Sequence, residues 1–81
     1  MPKITLVSGK RIIKILETIG FSILRIKGSH YFLHNLETKK STTVPIHGNE
    51  IIGIGLLRTI LNDCSITVDE YEKLRLRSSK R

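Results

Sequence analysis

Three short segments with strand-like alternation, joined by links of only a few residues, constrain this chain more than any other feature. They span residues 21–27, 29–36 and 42–46, and they contain β-branched and aromatic residues between polar ones. Consecutive strands with such short links usually lie side by side, so the segments predict an antiparallel, three-stranded meander. Because Pro45 lacks a backbone donor, the third strand is expected at a sheet edge or end.

Residues 8–20 carry a helical pattern that is marked at both ends. Ser8 can accept hydrogen bonds from the first free amides, and Gly20 suits the left-handed conformation in which helices often end. The apolar side chains recur on one stripe, formed by Ile12, Ile13, Leu16 and Ile19. The segment therefore predicts a helix that buries this stripe in a core and exposes a basic back.

Two more helices are predicted after the strands. Apolar residues recur at helical spacing over Leu57, Ile60, Leu61 and Cys64. Thr67 and Glu70 have the spacing of a capping box, which predicts an extra helix over residues 67–75, followed by a basic tail over 76–81. The element order therefore predicts one α+β domain over residues 1–81, with the helices packed on one face of the sheet.

The charge balance narrows the classes of partner. Fourteen Lys and Arg against seven Asp and Glu give 81 residues a formal net charge of +7. Such an excess favours a polyanion, with nucleic acid first and an anionic membrane second. No apolar run reaches the roughly 18 residues that a bilayer span needs, and no secretory signal is visible. We therefore expect a soluble, cytoplasmic protein without a membrane partner.

The stretch from Arg25 to His30 contains the residues best suited to chemistry. Imidazole transfers protons near neutral pH, so His30 is a candidate for promoting cleavage of RNA by its own 2′-hydroxyl. Lys27, Arg25 and Ser29 can donate to the negative charge that develops on the phosphorane. Gly28 lets the backbone approach a phosphate closely. The alternative is that His30 is an ordinary strand residue with a satisfied ring.

The remaining candidates are less specific. His34 is expected on the same face as His30, where a strand residue without a chemical role is the simpler interpretation. Adjacent strands can bring His47 near His30 as a second acid or base, or His47 can cap a turn or contact a phosphate. Tyr31 and Phe32 are the aromatic residues available to stack on bases. Two such residues are few for the recognition of a single strand. Further RNA contacts are expected from Lys39, Lys40 and Arg58.

Metal and cofactor chemistry are not expected. The carboxylates show no grouping suited to Mg²⁺, and the three histidines lack a recognised zinc spacing. The glycines form no nucleotide-binding pattern. Cys64, the single cysteine, lies on an apolar helical stripe and is expected in the core rather than as a nucleophile.

Four short blocks, taken together, carry a resemblance to a known family. In one-letter code they are IGF (19–21), RIKGSHY (25–31), TVPIHG (43–48) and GLLRTIL (55–61). Their order and spacing, over residues 8–64, resemble those of the HicA-type mRNA interferase toxins of prokaryotic toxin–antitoxin pairs. The resemblance implies a fold like the double-stranded-RNA-binding domain, α-β-β-β-α, here with an extra C-terminal helix.

The resemblance also implies a function. A HicA-type toxin of a type II pair would cleave single-stranded mRNA as a metal-independent, ribosome-independent endoribonuclease, and His30 matches the catalytic histidine of the family. A HicB-type antitoxin would bind the toxin and mask that histidine. Many members have a second histidine or another polar residue where this chain has Tyr31. The alternatives are a non-catalytic RNA-binding module of the same fold and a small basic protein-interaction domain.

Overall fold

The structure, a computed structural model, describes residues 3–78. Its elements, in chain order, are α1 (Gly9–Glu17), β1 (Phe21–Lys27), β2 (His30–Asn35), β3 (Lys40–Pro45), α2 (Ile54–Asp63) and α3 (Val68–Ser78). The strands form one antiparallel sheet in the order β1-β2-β3. This confirms the predicted α+β arrangement, α-β-β-β-α with an extra C-terminal helix, and it places Pro45 on an edge strand.

Helix α1 begins as predicted but ends early. The Ser8 hydroxyl oxygen accepts a hydrogen bond from the Arg11 amide at 3.3 Å, which caps the helix. The helix stops at Glu17, and a turn follows in which Gly20 has a φ of +103°. This left-handed conformation suits glycine. The predicted end at Gly20 therefore belongs to the turn after the helix and not to the helix itself.

A buried asparagine joins this turn to the sheet. Asn35 lies within the second predicted strand, and in the structure it is the last residue of β2 and is 2% exposed. Its side-chain amide donates to the Ile19 carbonyl oxygen at 3.0 Å, and its Oδ1 accepts from the amides of Glu37 and Thr38. Because each buried polar atom of this side chain is satisfied, Asn35 holds the end of α1 and the β2–β3 turn together.

The hydrophobic core lies between the helices and one face of the sheet. Leu33 of β2 and Val44 of β3 are almost completely buried against the helices. The whole predicted stripe of α2 is buried as well, and it consists of Leu57, Ile60, Leu61 and Cys64. Burial and, secondarily, the neighbouring Asp63 carboxylate raise the pKa of the Cys64 thiol to about 12. The thiol therefore stays protonated near neutral pH, which fits a core residue rather than a nucleophile.

Helix α3 begins with the predicted capping box. The Thr67 amide donates to Glu70 Oε1 at 2.9 Å, and the Glu70 amide donates to Thr67 Oγ1 at 3.1 Å. The helix continues to Ser78, beyond the predicted range of 67–75, so it includes the first part of the predicted basic tail. Residues 79–81 of that tail lie outside the described residues.

A polar network fastens α3 to the chain that precedes α1. Glu72 Oε2 accepts from the Thr5 amide at 2.7 Å, and Glu72 Oε1 accepts from Arg75 Nη2 at 2.8 Å. Arg11 Nη2 of α1 donates to the Arg75 carbonyl oxygen at 2.7 Å. The last helix is therefore bonded both to α1 and to the segment before it.

We expect Glu72→Gln to lower the free energy of unfolding by about 1 kcal/mol at pH 7, because charge-assisted hydrogen bonds are lost at a partly exposed site. Burial raises the pKa of Glu72, but hydrogen bonds from Thr5 and Arg75 outweigh it and leave that pKa below its ordinary value. A carboxyl with a lowered folded-state pKa stabilises the fold above its unfolded pKa, near 4.3, and loses this contribution as the pH falls through the folded value.

Urea unfolding of wild type and Glu72→Gln at pH 7 and at pH 3 measures this effect. The difference between the two proteins should shrink on acidification. An equal difference at both pH values would show that the charge of Glu72 is not what holds α3.

Candidate active site

The sheet face turned away from the helices carries three rows of side chains, each row running across all three strands. Tyr31 and Leu33 of β2 point into the core, so the residues that alternate with them, and their partners on β1 and β3, point away from it. The rows are Lys27–His30–Pro45, Arg25–Phe32–Thr43 and Ser22–His34–Ser41. We call these residues the open face. None of them is acidic, and the predicted orientation of His30, Phe32 and His34 is confirmed.

A β-bulge brings the two cations of β1 onto the open face. The pairing of β1 with β2 shifts between Ile23 and Arg25, which leaves Leu24 without a cross-strand partner. One extra residue in a strand reverses the alternation beyond it. Arg25 and Lys27 therefore share a face with Ser22, although regular alternation from Ser22 would place them on the opposite side.

A two-residue turn sets His30 directly across from Lys27. Gly28 and Ser29 form this turn, and Gly28 has a φ of +60°, which suits the first position of a type II′ turn. The Ser29 carbonyl oxygen accepts a hydrogen bond from the Ile46 amide at 2.8 Å, just beyond β3. The turn between β1 and β2 is thus also bonded to the chain after β3. His30 lies at one end of the sheet, on the central strand, between Lys27 of β1 and Pro45 of β3.

The two histidines of the open face differ in how their rings are held. His34 Nδ1 lies 2.6 Å from Ser41 Oγ, and a hydrogen bond joins them. His30 is exposed, and within residues 3–78 no hydrogen bond or ion pair fixes its ring. Of the two, His30 is the imidazole that is free to exchange a proton with a bound molecule.

His47 lies at the same end of the sheet as His30. It follows β3 by two residues, and Pro45 is the cross-strand partner of His30. Its carbonyl oxygen accepts a hydrogen bond from the Glu50 amide at 3.0 Å, and its side chain is exposed. The structure thus places His47 in the neighbourhood in which the sequence suggested a second acid or base.

The other predicted RNA-binding cations lie elsewhere. Lys40 pairs with Asn35, at the far end of β2 from His30, which is roughly 17 Å along a strand. Lys39 lies just before Lys40, in the turn between β2 and β3. Arg58 is exposed on α2 and lines a groove of about 410 Å³ next to the start of α3. The structure therefore gathers Arg25, Lys27, Ser29 and His47 at the His30 end of the sheet, and it does not bring Lys39, Lys40 and Arg58 there.

One pair on the open face was not foreseen as a unit. The Arg25 Cζ atom lies 4.7 Å from the centroid of the Phe32 ring, which is a cation–π contact. Only the strand register shows that Arg25 and Phe32 are cross-strand partners. The bulge at Leu24 shifts the pairing of β1 with β2 by one residue, and the sequence does not show this shift. The sequence signal, an aromatic residue two positions after His30, was too common to indicate the pair.

Residues 3–78 contain no group of three or more His, Cys, Asp or Glu side chains placed to hold a metal ion. None of the helices described there combines the length and the apolarity that crossing a bilayer requires.

Comparison with known proteins places the chain in a family. The sequence model of the HicA toxin of bacterial toxin–antitoxin systems matches residues 9–66. The chain belongs to the HicA toxin family. The matched region of this HicA-type chain contains α1, the whole sheet with its open face, and α2, and it ends before α3. No curated protein matches the chain. Membership gives the protein a toxin role within a toxin–antitoxin system.

Proposed function

We propose that this HicA-type chain is the toxin of a type II pair and that it cleaves single-stranded mRNA in the cytoplasm, without a metal ion or other cofactor. The observation that carries the proposal is the exposed, unfixed imidazole of His30, held directly across from Lys27 on a face without acidic side chains. Family membership supports RNA cleavage as the activity, and the net charge of +7 supports an RNA substrate.

The proposed reaction is attack of a ribose 2′-hydroxyl on the adjacent phosphorus. The new O–P bond forms as the bond from phosphorus to the 5′-oxygen breaks, which leaves a 2′,3′-cyclic phosphate and a 5′-hydroxyl. His30 either removes the 2′-hydroxyl proton or protonates the departing 5′-oxygen. Lys27 and the Ser29 hydroxyl donate hydrogen bonds to the phosphoryl oxygens as their negative charge grows. His47, a lysine or water supplies the second proton transfer.

The proposed partner is a HicB-type antitoxin that binds this chain and covers His30. Membership in a toxin–antitoxin family supports a protein partner. So do the exposed apolar side chains of the edge strand β1, where Leu24 is 71% exposed and Ile26, on the sheet face opposite His30, is 53% exposed. A partner that covers this edge strand would reach the row that contains Lys27 and His30.

Incubation of the purified protein with single-stranded RNA in excess EDTA tests the proposed activity. We expect cleavage to continue at an unchanged rate, with products that end in a 2′,3′-cyclic phosphate and a 5′-hydroxyl. Cleavage that stops in EDTA and returns with Mg²⁺ would contradict the proposal. Binding without cleavage would instead identify an RNA-binding module, and the absence of both would leave a protein-interaction domain.

A further inference from the structure

We propose that Arg25 and Phe32 form a stacking platform for one unpaired base of the RNA, next to the phosphate at which His30 transfers a proton. The inference rests on the proposed function, since it names how the same site holds its substrate. In this arrangement the Arg25 guanidinium contacts the base, and Phe32 acts as a positioning residue beneath it.

The geometry of the pair supports stacking. With its Cζ atom 4.7 Å from the ring centroid, the Arg25 guanidinium covers one face of Phe32. Arg25 is exposed and Phe32 is half-buried, so Arg25 is the member of the pair that is more accessible to a base. Guanidinium planes and aromatic rings are the surfaces on which proteins stack unpaired RNA bases. Phe32 would hold the flexible Arg25 side chain flat before the base arrives, which reduces the entropy lost on binding.

The position of the pair supports its placement next to the reaction. Arg25–Phe32 is the row adjacent to Lys27–His30, and two residues along a strand span about 7 Å. One nucleotide can therefore present its phosphate to Lys27 and His30 while a neighbouring base reaches Arg25. The third row, Ser22–His34–Ser41, lies one row farther from His30, about 14 Å along the strand, and is therefore less well placed to hold a base next to the reacting phosphate.

The charge of the surface favours RNA over a protein as the occupant of the platform. The open face holds the cations Arg25 and Lys27 and no carboxylate of its own. Asp63 lines a groove together with Arg25 and Phe32, but its carboxylate already accepts a hydrogen bond from the Thr42 hydroxyl at 3.0 Å. Two cations against this one bonded carboxylate match a phosphate backbone. A duplex keeps its bases stacked within the helix, so this platform would serve only an unpaired base. The pair would therefore contribute to the choice of single-stranded RNA and to the nucleotide preferred beside the cut.

RNA binding by variants in a His30→Ala background tests the platform without interference from cleavage. Fluorescence anisotropy is measured with an intact eight-nucleotide single-stranded RNA and with a series of RNAs of the same sequence that each carry one abasic site, at a different position in each. Stacking of one base is worth about 5- to 150-fold in affinity. We expect Arg25→Lys and Phe32→Leu to weaken binding of the intact RNA within this range. Both should bind the RNA that is abasic at one particular position as well as the parent does.

Two control variants separate the platform from charge and from general damage. Lys27→Gln should weaken the intact and abasic RNAs equally and lower the salt dependence of binding, because it removes only a phosphate contact. Arg77→Lys, at an exposed position of α3, should change the affinity for neither the intact nor the abasic RNA. If Arg25→Lys and Phe32→Leu leave the affinities unchanged, or lower them equally for both RNAs, the platform is wrong while the nuclease proposal stands. If the parent binds no RNA and wild type cleaves none, both proposals fail.

Discussion

His30→Ala is expected to lower the rate of RNA cleavage by about 10²- to 10⁴-fold, the usual worth of one general acid or base. RNA binding should stay close to that of wild type, because the cations of the open face remain in place. Single-turnover cleavage of a labelled RNA gives the rate, and anisotropy gives the affinity. His30 is exposed, so the variant should fold.

His34→Ala is the matched control, since it removes a second imidazole from the same strand and the same face. Its ring is already bonded to Ser41, and we expect its loss to change the cleavage rate little. Equal losses in both variants would mean that any imidazole on this face supports activity through charge. A His30→Ala protein that cleaves like wild type would remove His30 from the mechanism.

An altered substrate can assign the direction of proton transfer. In an RNA whose scissile 5′-oxygen is replaced by sulfur, the leaving group departs without needing a proton. If His30 is the acid, His30→Ala should cleave this RNA nearly as fast as wild type does. If His30 is the base, the defect of the variant should persist.

Tyr71→Ala is expected to produce the largest loss of stability, about 3–5 kcal/mol. Tyr71 of α3 is 1% exposed and is the largest fully buried side chain of the core. Its hydroxyl also donates a hydrogen bond to the Thr5 carbonyl oxygen. Since small proteins have only about 5–15 kcal/mol of total stability, this loss removes a large share of it, and the variant should unfold at a much lower urea concentration than wild type. Urea unfolding followed by circular dichroism measures the effect.

Tyr71→Phe separates packing from hydrogen bonding. Burial and, secondarily, Glu72 raise the pKa of the Tyr71 hydroxyl to about 12, so it remains a donor throughout the neutral range. Its removal should cost about 1 kcal/mol. If Tyr71→Ala unfolds at the same urea concentration as wild type, α3 is not part of the core. That result would be informative, because the family match ends at residue 66, before this helix begins.

The elements of this fold were predictable because their signals are local. The Ser8 cap and the Thr67–Glu70 capping box depend on residues three apart, and both are present in the structure. Asn35 and the bulge at Leu24 were not predicted. Asn35 is held by a carbonyl at residue 19, and the bulge is visible only once the pairing register is known, so neither follows from a local pattern.

The candidate site shows the same division. The alternation of the second strand predicted that His30 and His34 share a face, and the structure agrees, whereas only the strand register shows that His30 lies across from Lys27. The positions of the other cations could not be predicted without the strand pairing. That pairing puts Lys40 and His30 at opposite ends of the sheet. Net charge is a property of the whole chain and does not show which residues lie at a site. The composition therefore supported an RNA substrate without showing which lysines would contact it.

Cleavage of an RNA with one 2′-deoxyribose at a mapped cleavage position, in EDTA, tests the central claim most directly. The account predicts that wild type no longer cuts at that position while it still cuts the all-ribose RNA in parallel. It also predicts that His30→Ala cuts the all-ribose RNA far more slowly than wild type does and does not cut the other RNA at the deoxyribose. Cutting at the deoxyribose would show that the 2′-hydroxyl is not the nucleophile and would contradict the mechanism proposed for His30.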